Sequence, residues 1–177
     1  YSNDLIFTAP PQSLLTHLEE SLHKNIIYKN KIKSLPEPSG ALVFYSAIKK
    51  EHIKEISSHH YQFVSDEFGS LFVSISREGD GRAPKGEVTL IASIFTNTKD
   101  WFNLDKNKYV ERKKDFLEKI SLEIERQFNI ASENWLHREL ATPLGFERWT
   151  NRPKGIVGGL GQNPEIFGLS GLSSRTP

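Results

Sequence analysis

Residues 69–96 read GSLFVSISREGDGRAPKGEVTLIASIFT. Two runs rich in β-branched and aromatic residues, 71–76 and 88–96, flank a stretch, 77–86, crowded with Gly, Pro and Asp. Residues of the first kind suit a pleated, half-buried surface, and those of the second kind supply turns. The pattern predicts an antiparallel hairpin with a long exposed tip.

Upstream, residues 41–48 and 61–64 have strand composition, with Ile53 and Ile56 between them on one or two helical turns. Downstream, residues 105–128 place Tyr109, Phe116, Leu117, Ile120, Ile124 and Phe128 on one helical face and charged residues elsewhere, the pattern of an amphipathic helix lying on a sheet. Residues 135–142 resemble a strand, and residues 143–149 a short helix opened by Pro143. The fold expected is therefore α+β: a mainly antiparallel, mixed sheet of about five or six strands with a long amphipathic helix across one face.

Nearer the start, residues 4–9 read as a strand running into Pro10-Pro11, followed by a short helix carrying Leu14, Leu15, Leu18 and Leu22. Residues 24–33, with Lys24, Lys29, Lys31 and Lys33 among isoleucines and Tyr28, read either as a solvated loop or as a membrane-surface contact. In the second reading the lysines meet anionic head groups while Ile and Tyr dip below them. From Thr150 onward the chain is irregular and dense in glycine.

The whole has 177 residues, enough for one domain with a core. Net charge is only +1, so no global field draws it to nucleic acid. The absence of cysteine removes disulfides, thiolate nucleophiles and cysteine-bound zinc. Tyr1 at one end and a Gly/Ser/Pro stretch at the other lead us to expect a portion excised from a larger protein.

Several motifs fail on chemistry. Residues 81–86 have the glycine spacing of a phosphate loop, but Glu87 stands where the lysine is required. Residues 155–161 give no register of G-x-G-x-x-G and precede no helical pattern, so no dinucleotide site starts there. His52, His59 and His60 lack further ligands for a metal, and consecutive residues of a strand point to opposite faces. No serine sits in a nucleophile elbow.

Three blocks resemble the carotenoid desaturase and isomerase branch of the FAD-dependent, amine-oxidase-like enzymes. They are residues 4–12 (DLIFTAPPQ), residues 69–76 with 78–84 and 91–96 behind them, and residues 141–162 (ATPLGFERWTNRPKGIVGGLGQ) continuing to Phe167-Gly168 and residues 174–177 (SRTP). Within that family, residues 156–159 and 80–84 are most similar to bacterial C-3′,4′ carotenoid desaturases. The resemblance spans nearly all of residues 1–177 as a single substrate-side domain fragment, with residues 150–177 leading toward a flavin-contacting region beyond this sequence.

The resemblance implies FAD in the full-length enzyme, its main binding motifs lying outside this chain, and a carotenoid substrate. It further implies a cytoplasmic protein peripherally attached to a membrane, with residues 24–33 as the contact, and no nucleic-acid partner. Gly158, Gly159 and Gln162 are the expected cofactor neighbours, and Arg148 and Trp149 the expected substrate neighbours. No conventional catalytic side chain and no metal ligand is assigned. A carotenoid cis-trans isomerase of the same family and a non-catalytic carotenoid- or lipid-binding module are the alternatives.

Overall fold

A computed structural model of the chain describes residues 6–17, 25–54 and 56–158. Its centre is a sheet of five strands: β1 (Gly40–Lys49), β2 (His60–Ser65), β3 (Gly69–Ile75), β4 (Glu87–Thr96) and β5 (Trp135–Ala141). Their spatial order is β2-β3-β4-β1-β5, and every ladder is antiparallel, so the expected mixed character is absent among the described residues. The α+β class stands.

Five helices accompany the sheet among the described residues: α1 (Pro11–His17), α2 (Ile26–Lys33), α3 (Lys99–Phe102), α4 (Lys106–Phe128) and α5 (Pro143–Thr150). Helix α4 starts where the Asp105 carboxylate accepts the Lys108 N–H at 2.9 Å, satisfying one of the donors that a helix leaves unpaired at its start. It stops at Asn129, whose left-handed φ of 53° suits a residue with a short polar side chain. Its inner face lays Ile120, Ile124 and Phe128 against Leu42, Phe44, Val73, Leu90 and Leu140, all buried.

Residues paired across a ladder share a face, so the register sorts the sheet into two sides. Phe44 with Leu140 and Ile48 with Trp135 face α4. Tyr45 with Glu139, Tyr45 with Ile91, and Phe72 with Ser93 face the other way. Trp101 of α3 is fully buried in the same core, its indole N–H donating to the Thr96 hydroxyl at 3.0 Å.

Two expectations change near the start. Residues 6–8 form no strand, and residues 4 and 5 lie outside the described residues. Residues 26–33 are helical rather than a loop, because Tyr28 and Ile32, one turn apart, bury together against Leu14 in a satellite cluster. Asn25 caps this helix by accepting the Tyr28 N–H. Tyr28 therefore points inward, while Ile26 and Ile27 are 68% and 83% exposed. No described helix is long and apolar enough to cross a membrane.

Candidate functional site: the cleft at the β5 edge

Strand β5 pairs with β1 alone and forms one edge of the sheet. Thr142 turns the chain from it into α5, with Pro143 in the first turn, where its missing N–H costs nothing. The turn and helix enclose a cleft of about 660 Å³ that wraps the edge. Tyr45 and Glu139 reach it from the bare face of the sheet, Tyr109 and Lys113 from α4 on the other side, and Arg148 and Trp149 close it from α5.

Its lining mixes apolar side chains with the charged Lys113, Glu139 and Arg148 and with several hydroxyls. The Tyr109 and Thr142 hydroxyls bond to each other at 2.9 Å. Trp149 is 81% exposed, a large hydrocarbon surface left in water by the described residues. The Arg148 guanidinium lies over its ring, 5.7 Å from the centroid, where the negative face of the indole attracts a cation. Both residues expected beside a substrate thus share one wall.

The residues expected beside a cofactor divide differently. Gly159 and Gln162 lie outside the described residues. Gly158 is exposed, with a φ of +76°, and a Cβ added there would meet no described atom within 4 Å. Its carbonyl accepts a hydrogen bond from the Arg152 guanidinium. The stretch before it is firmly held: Val157 N–H donates to the Ser39 carbonyl at 3.0 Å, Ile156 bridges to Gly40, and Lys154 N–H donates to the Glu147 carboxylate at 2.7 Å. The Lys154 ammonium pairs with Glu37.

The glycine that permits a close backbone approach is Gly155, where an added Cβ would sit 1.9 Å from the Pro143 carbonyl oxygen. In sequence Gly155 and Gly158 look alike; only the fold separates a packing glycine from one set by backbone angle alone. Tyr45 and Tyr109 also escaped sequence reading, because each is one aromatic among many until β5 and α4 bring them together.

The described residues contain no glycine-rich strand-to-helix turn for a pyrophosphate. They contain no group of three or more His, Asp or Glu side chains placed to hold a metal. His60 instead stacks on Phe72 at 5.9 Å on the bare face.

That bare face carries Val64, Phe72, Tyr45 and Phe95, with Phe95 73% exposed. No family model, curated protein or solved structure matches the chain.

Proposed function

We propose that this chain is the substrate-side portion of an FAD-dependent oxidoreductase that desaturates a carotenoid, of the C-3′,4′ desaturase type. The observation that carries the reading is the unequal dressing of the sheet. Helix α4 fills one face, while the other offers Phe72, Tyr45 and Phe95 to solvent and runs to an edge cleft walled by Trp149. Apolar surface of this kind is driven to cover itself with a partner of like chemistry. On this proposal a rod-shaped polyene lies along these rings, which alternate with polar neighbours such as Gln62, Ser74 and Ser93 on the same face.

In this reading Trp149 and Tyr45 orient the polyene by face contact, and Arg148 holds the indole in place by stacking on it. The Tyr109 and Thr142 hydroxyls share one hydrogen bond, which satisfies one of their two O–H donors. Specificity then comes from the length and shape of the wall, where one methylene is worth ~1–3 kcal/mol. Bound FAD would supply the acceptor for the hydrogen removed as hydride. Gly158, with Gly159 and Gln162, would lie along it.

Peripheral membrane attachment at the cytoplasmic side belongs to the same proposal. It is supported by α2, where exposed Ile26 and Ile27 stand beside Lys29, Lys31 and Lys33 while Tyr28 and Ile32 anchor the helix inward. Flotation with anionic liposomes should be lost when the three lysines become glutamate. Undiminished flotation removes the segment from the proposal.

The central test is spectroscopic. The parent protein, purified with the sequence that flanks this chain, should be yellow with bound flavin and should add a double bond to a defined carotenoid. Trp149→Ala should lower kcat/KM about tenfold or more, given the size of an aromatic contact. A colourless parent that still takes up carotenoid is a binding module, and a yellow one that only changes double-bond geometry is an isomerase; either result overturns the desaturase reading.

A further inference from the structure

A second cleft, of about 750 Å³, lies at the end of β1 between the loop joining β3 to β4 and residues 50–59. It shares no lining residue with the Trp149 cleft, so any ligand here is separable from the polyene. Its floor is apolar: Ile53, Ile56 and Val88 line it and at the same time pack on the main core.

Its rim is cationic. Lys50, Lys54, Arg77 and Lys85 line it against Glu78 and Glu87, an excess of two positive charges in a chain whose total is +1. Lys50 pairs with Glu78 at 2.5 Å and Lys85 adds a weaker attraction to the same carboxylate, whereas Arg77 and Lys54 have no ion pair among the described residues. Glu55 lies outside those residues. His59 also lines the cleft, and its Nδ1 is buried with no hydrogen-bond partner among the described residues. A buried polar atom left so is costly unless a ligand or water meets it.

The wall is preformed. The Asp80 carboxylate accepts the N–H groups of Arg77 at 2.7 Å and Arg82 at 2.9 Å, and the Arg82 Nε–H at 2.8 Å. Gly79 and Gly81 take left-handed φ values around it, and the Gly86 carbonyl accepts the Lys50 N–H at 2.9 Å. Such a loop does not have to be ordered by its ligand, which removes part of the usual entropic cost of binding.

We propose that this cleft binds a monomeric amphiphilic anion, an aliphatic chain ending in a phosphate or carboxylate. The chain lies on Ile53, Ile56 and Val88, and the head meets Arg77 and Lys85 at the rim. Charged donors bonding an anionic head are the strong class of hydrogen bond. An apolar floor alone would not need the excess of cations, and a cationic rim alone would not need the floor.

The test uses octyl phosphate, with inorganic phosphate and octanol as its two halves, followed by isoleucine methyl NMR of the chain. Octyl phosphate should shift the Ile53 and Ile56 methyls saturably and leave Ile94 and Ile124 in place, with each half binding at least about tenfold more weakly. The double variant Arg77→Glu, Lys85→Glu should weaken octyl phosphate about a hundredfold with the Ile94 and Ile124 signals unchanged. In the unaltered chain, raising salt to about 0.5 M should weaken octyl phosphate but not octanol. The proposal is overturned if Ile53 and Ile56 do not respond, if the double variant binds equally well, if octanol or phosphate alone binds as tightly, or if salt has no effect. A second arm with anionic vesicles separates a bilayer surface from a monomeric ligand: shifts at Ile53 and Ile56 only with vesicles would also overturn it.

Discussion

Replacing Gly155 with alanine tests whether the start of the glycine-rich segment is docked as described. The new methyl would sit 1.9 Å from the Pro143 carbonyl oxygen, 2.7 Å from its carbon and 2.9 Å from its Cα. None of these is a flexible side-chain end, so backbone must move. Alanine at a φ of +56° costs ~1–2 kcal/mol by itself, and forcing extra volume into a filled space adds ~1–3 kcal/mol. The chain can escape the clash by undocking residues 152–157, but it then gives up the buried Ile156 side chain, worth ~1.5–3 kcal/mol, and the Val157–Ser39 hydrogen bond, worth ~0.5–1.5 kcal/mol. Both routes converge on a loss of about 2–5 kcal/mol. Gly145→Ala is the control: it lies within α5, has nothing within 4 Å of an added Cβ and has no positive φ. It should gain ~0.5–1 kcal/mol. Urea unfolding at constant slope measures both, and trypsin cleavage after exposed Lys154 reports undocking directly. A Gly155→Ala protein within about 0.5 kcal/mol of the parent, with unchanged cleavage, would refute the docking.

Trp101→Phe should cost ~1–3 kcal/mol in the same assay, because it removes volume from a fully buried site and leaves the Thr96 hydroxyl without the indole donor. The Arg82 side chain, then the Arg82 and Arg77 backbone N–H groups, hold the Asp80 carboxyl at about 2 against an ordinary 3.8. A depressed acid stabilises its loop above the unfolded value and loses that contribution as pH falls through the folded one. The amide signals of Gly79 and Gly81 should accordingly titrate with a midpoint near pH 2 rather than 3.8, and Asp80→Asn should flatten the response. At Asn129, left-handed at the end of α4, glycine should be within ~0.5 kcal/mol of the parent, whereas valine should cost ~1–2 kcal/mol or more by thermal or urea unfolding.

The five strands and α4 are legible in the sequence because each carries its own period: alternating burial along β4, and apolar residues three and four apart from Tyr109 to Phe128. Residues 6–8 show the limit of composition. Strand-forming residues are there, but neither β2 nor β5, the two sheet edges, receives them, and a strand without a neighbour leaves its backbone unpaired. In α2 the interleaved lysines mask a helical signal that rests on Tyr28 and Ile32 alone. At the site, Arg148 and Trp149 are neighbours in sequence and can be chosen together. The meeting of Tyr109 with Thr142, 33 residues apart, belongs to the crossing of α4 over the sheet and has no local signature.

That crossing also explains why one face stays bare. β4 and β5 both run antiparallel to β1 and flank it, so they are parallel to each other and are joined through α3 and α4. A connection between parallel strands must pass over one face of a sheet, and here the single long helix passes over the face holding Phe44 and Leu140. Of the remaining strand connections, β2 to β3 and β3 to β4 are hairpins that turn at the strand ends, and residues 50–59 lead from β1 past β4 and β3 to β2 with Ile53 and Ile56 packed on the same core as α4. Segment 152–157 meets the sheet at Ser39 and Gly40, at the start of β1. Exposure of Phe72 and Phe95 therefore follows from topology rather than from chance placement of apolar residues. Among the described residues no element covers them, and the functional proposal gives that place to the polyene.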